Sequence, residues 1–366
     1  MGSTEVILGI CTAILVMVTL LPLSRCEHWV VRSLDFPRLQ FSVALLIVLA
    51  VEVLLLDLSS RFAQGLLVLG ILCLLYQCWW IFAYSPLVRK EVRTVSANGP
   101  DSVRVLTANV LTPNRRAQAL LDMIYSNHPD LVVTLESDDW WEGQLDVLTA
   151  DFPYRVKCPK NNLYGMHVYS KLKLSEIEVN YLVEQDVPSI HALLHLRSGL
   201  CVQCHFVHPA PPSPTENASS SERDAELIMI AKSVAQHDKP TIVTGDLNDV
   251  AWSKTTRLFR KISGLLDPRI GRGMFNTFHA QYWFLRWPLD HIFHSKHFGL
   301  AQLRRLGDIH SDHFPLLSEL VYIGERGSDQ SGLDADREDH ELAEEKMAQQ
   351  QVSPEQVPKA KAPNKE

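Results

Sequence analysis

Apolar positions are spread unevenly along the chain. Three runs near the N-terminus are apolar on every face. Residues 6–23 (VILGICTAILVMVTLLPL) carry no charge, residues 41–58 (FSVALLIVLAVEVLLLDL) enclose Glu52, and residues 64–84 (QGLLVLGILCLLYQCWWIFAY) end in Trp79, Trp80 and Tyr84. A helix that crosses a bilayer needs about 20 mostly apolar residues, and aromatic residues favour the interface. Three transmembrane helices are therefore expected. The first run is not read as a secretory signal, because Glu5 precedes it and no Lys or Arg does. Glu52 is costly inside a bilayer and is read as a neutral or inter-helix hydrogen-bonded carboxyl.

After residues 94–101 (TVSANGPD), read as a linker, the pattern changes. "VRVLTANV" alternates like a strand, "RRAQALLDMIYSNH" has helical spacing, and "DLVVTLE" reads as a buried strand. "CVQCHFVH" and "PTIVTGD" are further strands around the helix "ERDAELIMIAKSVAQH", and "DHIFH" and "HFPLLSELVYI" close the series. Strands alternate with helices, yet several strands follow one another directly. That mixture predicts an α/β domain over 102–323 with helices covering stacked sheets. Residues 1–93 form the expected anchor, and 324–366 an acidic, disordered tail. A Pro/Ser-rich loop fills 209–221, with a glycosylation triplet at Asn217.

Charge and cysteine content narrow the classes. The 366 residues carry a net charge of −7, and from Glu325 onward eleven acidic residues stand against six basic ones. The remainder is nearly neutral, so tight general nucleic-acid binding is not expected. Seven cysteines are too few for a disulfide framework at this length. Cys201 and Cys204 fall on opposite faces of one strand and read as packing, not as a metal or redox pair. Arg25, Arg32 and Arg38 follow the first run, and Arg89, Lys90 and Arg93 follow the third, while the second loop has only Arg61. Positive residues stay inside. This favours a multi-pass protein of the cell (inner) membrane, with its N-terminus outside and its large domain on the cytoplasmic side.

Candidate chemistry sits where apolar strands end. Asn109, Glu136, His208, Asp246 with Asn248, Asp290, and Asp312 with His313 all occupy such positions. Singly, each has a plain structural reading. Asp246 and Asn248, for instance, would cap a helix starting near Ala251. Gathered at one sheet edge they acquire a joint use. Glu136 and Asn109 offer oxygen donors to a hard cation such as Mg²⁺. A His–Asp pair makes an oriented general base. Asn248 and His208 would donate to oxygens that gain charge in a transition state. The set fits metal-assisted attack of water on a phosphoester. No Ser or Cys nucleophile motif points to acyl transfer.

"TANV", "LESD", "GDLND", "PLDHIF" and "SDHFPL", in this order, resemble the endonuclease/exonuclease/phosphatase superfamily over approximately residues 102–323. The three apolar runs and "HPAPP" are similar to its bacterial membrane-anchored branch. The resemblance implies a four-layer α/β (α+β) sandwich, in which two packed mixed β-sheets are flanked by helices. It implies Mg²⁺, with Mn²⁺ as a substitute, held by Glu136, Asn109 and Asp312. It also implies catalytic roles for His313, Asp290, Asp246, His208 and Asn248. Asp290 would orient His313, Asp246 would orient the attacking water or a metal, and Asn248 would bind the phosphate. "YGMHVYSKLKL" and "FNTFHA" depart from the usual family segments, with Phe278 in the aromatic place. Expected partners are the lipid bilayer and a phosphodiester, either phospholipid or nucleic acid. The alternative is an inactive membrane protein that binds phosphate ligands on the same fold, but all eight positions are filled.

Overall fold

A computed structural model describes residues 2–97 and 99–358. Three of its helices are long and apolar enough to cross a membrane, α1 (Ser3–Leu20), α3 (Arg38–Leu55) and α4 (Arg61–Phe82), with the short α2 (Trp29–Ser33) between the first two. Each begins three residues before its apolar run. A polar residue at Ser3, Arg38 or Arg61 suits a first turn whose N–H groups have no carbonyl partner within the helix. Polar groups inside the bundle pair across helices. Thr12 Oγ1 donates to Glu52 Oε1 at 2.6 Å. Arg38 Nη1 donates to Gln77 Oε1 at 3.0 Å, and Gln77 Nε2 to Thr19 Oγ1 at 3.1 Å.

The rest of the described chain runs β1 (Ser102–Asn109), α5 (Ala117–Asn127), β2 (Leu131–Leu135), α6 (Asp139–Leu145), β3 (Tyr154–Cys158), β4 (Met166–Ser170), β5 (Leu174–Asn180), β6 (Ser189–His195), β7 (Cys201–Val207), α7 (Ser221–Ala235), β8 (Thr241–Asp246), α8 (Lys254–Ser263), β9 (Asp290–His294), β10 (Phe298–Arg305), β11 (Leu316–Tyr322) and α9 (Arg337–Gln349). One sheet has the order β10-β11-β1-β2-β4-β3, the other β5-β6-β7-β8-β9. Both are mixed. The parallel pairs β1/β2 and β7/β8 are joined through α5 and α7, as parallel neighbours require a crossover.

The sheets pack face to face over a dry core that includes Val105, Val133, Ile190, Phe206, Ile242 and Leu316. Leu120, Ile124 and Trp141 of α5 and α6 cover the outer face of the first sheet. Ile230, Phe259 and Met347 of α7, α8 and α9 cover the second. The architecture is the expected four-layer sandwich. Strands β2 and β8 are buried at every position, which explains their unbroken apolar runs. Cys204 packs in the inter-sheet core.

Two expectations need correction. The tail is not loose where it is described. Helix α9 seals Ala343 and Met347, one turn apart, against α7 and α8. Its Lys346 donates to Asp224 Oδ2 at 2.7 Å and Glu27 Oε1 at 2.9 Å. Acidic composition without aromatics concealed a short apolar stripe that needs no aromatic. The expected linker also does more than connect. Thr94 bridges Leu300 in parallel, and Val95 N–H donates to the Leu300 carbonyl, so the segment extends the β10 edge.

Candidate active site

Strand register brings the site together. Asn109 ends β1 opposite Leu135 at the end of β2. Val207 faces Gly245, and Asp246 faces Asp290. Thr107 and Thr244 hydroxyls meet at 2.9 Å between the sheets, so both sets of strand ends share one edge. At Gly245 (φ 153°) a Cβ would lie 1.8 Å from the Val207 carbonyl oxygen. Only glycine allows the approach, and the turn carrying Asp246 and Asn248 depends on it. Asn248 is left-handed (φ 50°), and its N–H donates to Asp246 Oδ1 at 2.9 Å. This closes a turn of the kind Asp side chains make with their own backbone. Neither residue caps a helix: α8 starts at Lys254, and Ser253 caps it.

His313 lies between two carboxylates. Its Nδ1 is 2.7 Å from Asp290 Oδ2, and its Nε2 is 3.4 Å from Asp246 Oδ2. Burial opposes charge on the ring, but Asp290 and Asp246 outweigh it and push the imidazole up to about 10. Burial would likewise raise Asp246, yet His313, His208 and the Asn248 N–H hold its carboxyl below the ordinary value. Phe278 covers one face of the imidazole at 4.9 Å between centroids. The hydroxyl of Thr277 accepts the Asp290 N–H at 3.2 Å and fixes that strand start. Ser311 Oγ ties the loop before His313 to the Asn109 carbonyl at 2.8 Å.

The other predicted residues surround this pair. Asn109 Nδ2 donates to Glu136 Oε1 at 2.7 Å and to Asp246 Oδ2 at 3.2 Å, while its Oδ1 accepts the Leu111 N–H. In this orientation Asn109 positions Glu136 and turns its oxygen away from it. Glu136 is pushed up to about 8, first by burial and further by Asp312 and Asp246. His208 is buried, with Nε2 4.0 Å from Asp246 Oδ2, and burial lowers it to about 4, so its ring is neutral. Asn248 Nδ2 donates to the Pro209 carbonyl at 3.0 Å, which joins the GDLND turn to the Pro-rich loop. Asp312 is half-buried and touches the cluster only through its field.

Residues 106–313 match the model of the Endonuclease/Exonuclease/phosphatase family, more than half of the chain. The chain belongs to that family. Among solved structures, the human Nocturnin catalytic domain with bound sulfate aligns at TM-score 0.51 and 19% identity, covering 62% of this chain and 96% of that one. An endonuclease/exonuclease/phosphatase from Beutenbergia cavernae aligns at 0.49 and 18%, covering 65% and 79%. D. rerio TDP2 complexed with single-strand DNA product aligns at 0.49 and 16%, covering 60% and 98%. At these identities the likeness is one of fold. A search of curated protein sequences returns no match.

The family generally uses a divalent metal, and the donor set here fits one. Glu136 Oε2 is buried with no hydrogen-bond partner. Glu136, Asp246, Asp290 and Asp312 stand against one imidazolium. Ligand atoms of Asp246, Asp290 and His313 also lie within 4.8 Å of one another. The contact of His313 with both carboxylates already accounts for that trio, so the orphaned oxygen of Glu136 is the better marker of a cation.

Sequence reasoning missed the support beneath the family's GDLND turn. Arg223, fully buried on α7, donates to the Asn248 carbonyl at 2.7 Å and pairs with Asp224 at 2.9 Å and Asp249 at 3.3 Å. The available signal was weak: an Arg-Asp pair in the first turn of a helix that also carries Glu222, Glu226 and Lys232. Contacts from the N-terminal helices were also invisible. Trp252 Nε1 donates to the Asp35 carbonyl at 2.9 Å, and the Tyr84 hydroxyl to the Ala251 carbonyl at 2.6 Å. The turn is thus braced from both sides.

Proposed function

We propose that this chain is a membrane-anchored, Mg²⁺-dependent phosphodiesterase whose substrate is a phospholipid. The observation that carries the reading is His313 held between Asp290 and Asp246 at a strand-end cleft with surplus carboxylates. Asp290 fixes the ring so that Nε2 serves the cleft. Asp246, ionised beside it, takes the proton of the attacking water. The water oxygen forms a bond to phosphorus as the P–O bond to the leaving alcohol breaks in line. The departing oxygen takes a proton from solvent, and Asp246 returns its own there. His313 Nε2–H and Asn248 donate to phosphoryl oxygens that gain charge. Neutral His208 lies beside Asp246 for the same purpose. Glu136 and Asp312 would hold the Mg²⁺, with Asn109 positioning Glu136. The metal, when bound, supplies positive charge that polarises the phosphoryl group and steadies the leaving oxygen.

A lipid substrate is favoured by what borders the cleft. Trp287 pairs with Phe278, and the loop between them exposes Tyr282, Trp283 and Phe284. Gln40, in the first turn of α3, donates to the Phe284 carbonyl at 2.8 Å. Exposed aromatics at the end of an apolar helix suit a membrane interface. Positive residues near the helix ends favour the cytoplasmic face of the inner membrane for the catalytic domain.

The test is a substrate panel on the full chain in detergent: bis-p-nitrophenyl phosphate, single-stranded DNA and mixed-micelle phospholipid, each with Mg²⁺ and with EDTA. Turnover of the phospholipid that stops in EDTA supports the reading. Preference for DNA would reassign the substrate, and full turnover in EDTA would remove the metal.

A further inference from the structure

A cavity of about 610 Å³ lies outside the catalytic edge. It begins at Ala83, which caps the C-terminal end of α4, and continues under residues 89–94 and 329–333 to α8. Five cations line it, Arg89, Lys90, Arg93, Arg257 and Arg260, against the carboxylates of Glu91 and Asp329. Arg260 is spent on Glu91 at 2.7 Å, and Arg93 pairs with Asp329. Arg89, Lys90 and Arg257 have no carboxylate partner among the described residues. Arg260 is also buried, and its Nε–H has no acceptor. The cavity therefore holds spare positive charge on Arg89, Lys90 and Arg257.

Its height matters as much as its charge. Trp79 is 74% exposed in the last turns of α4, and the Arg257 guanidinium lies 5.9 Å over the Trp80 ring. Tryptophans at that level mark the boundary between hydrocarbon and headgroups. Basic residues there attract anionic lipids, and guanidinium groups match phosphate oxygens in geometry. We propose that this cavity binds the phosphate headgroup of an anionic phospholipid, at a site separate from the catalytic one. The proposal rests on the membrane-anchored reading. The site also borders the catalytic machinery indirectly, because α8 is capped by Ser253, whose hydroxyl donates to Asp249 at 2.6 Å. A lipid held on α8 steadies the helix that leaves the GDLND turn.

The test uses the full chain reconstituted in nanodiscs of phosphatidylcholine with phosphatidylglycerol. The protein is then released into mild detergent and weighed intact by native mass spectrometry. Wild-type protein is expected to retain phosphatidylglycerol over phosphatidylcholine. Lys90→Glu with Arg257→Glu, both on the exposed rim, should lower that retention at least tenfold while cleavage of bis-p-nitrophenyl phosphate persists. If the double variant misfolds, Lys90→Gln alone should show a smaller loss in the same direction. Equal retention of both lipids, or unchanged retention in the folded variants, overturns the proposal. Complete displacement by inorganic phosphate also overturns it, because the site then serves a free anion. Release of wild-type protein from membranes by alkaline carbonate defeats the anchor reading instead, and is measured first.

Discussion

The helical bundle and the catalytic edge both bury polar groups, but they arrange them differently. In the bundle, Glu52 takes the Thr12 hydroxyl, Arg38 meets Gln77, and Gln77 meets Thr19. Each side chain finds at least one partner on a neighbouring helix, and Glu52 Oε2 and Arg38 Nε are left over. At the catalytic edge, four carboxylates face one imidazolium, and Glu136 Oε2, Asp290 Oδ1 and His208 Nδ1 lack partners. Unpaired buried groups cost free energy unless something external completes them. What sets the catalytic edge apart is that its unpaired atoms and its carboxyls are gathered in one cleft at the strand ends, whereas those of the bundle, Glu52 Oε2 and Arg38 Nε among them, are scattered.

The contrast can be broken most severely at His313. His313→Ala leaves the carboxylate surplus unrelieved and removes the cleft's charged donor. Turnover of bis-p-nitrophenyl phosphate should fall by roughly 10²–10⁴-fold, with circular dichroism showing an intact fold. Arg223→Met tests the brace beneath the turn. It leaves Asp249 in the interior without its cation, while Asp224 keeps Lys346, and loss of one partner of a buried pair costs about 3–5 kcal/mol. Denaturant midpoints should drop accordingly, and little change would show that the brace is dispensable.

Glu136→Gln sharpens the comparison by removing one carboxyl that would otherwise ionise to hold a cation. The Mg²⁺ concentration giving half-maximal activity should rise at least about tenfold. The melting temperature without metal should hold or increase, because a buried carboxyl pushed up to about 8 has been removed. Buried histidines give a smaller, pH-linked effect. Burial lowers His205 and His294 to about 4, so the unfolded chain binds their protons first. Stability from these rings is present above pH 6.5 and lost as pH falls toward 4. Melting temperature should decline over that window, and less steeply in His205→Gln. The smallest effect is expected in the bundle. Glu52→Gln keeps an acceptor for Thr12, and stability in detergent should change by less than about 1 kcal/mol.

What the sequence made legible follows from the range of each interaction. Apolar runs and strand alternation are local, so the three long apolar helices and the strands β1, β2, β7, β8, β9 and β11 could be read directly, while β3 to β6 and β10, with weaker patterns, were not. The candidate site could be read because its residues sit at strand ends and in recognisable short segments. Arg223 could not, since its meaning depends on Asn248 and Asp249 across a turn. Helix α9 was hidden because its burial rests on a few small apolar residues and one lysine, which resemble a solvated tail. The bracing of Ala251 and Trp252 by Tyr84 and Asp35 joins segments far apart in sequence, and no local pattern reports it.

The pairing of β1 with β11 has a consequence for synthesis. Ser102 lies opposite Val321, and Thr107 opposite Leu316, so the strand that delivers Asn109 is flanked by the last strand made. Long-range pairings of this kind form late. The three apolar helices are made before that strand, while the α/β domain is still incomplete. The nascent domain must therefore wait, tethered, until residue 322 has left the ribosome, and Lys346 follows later still. A pause or truncation late in translation would leave the apolar helices complete, with neither a closed sheet nor a finished site.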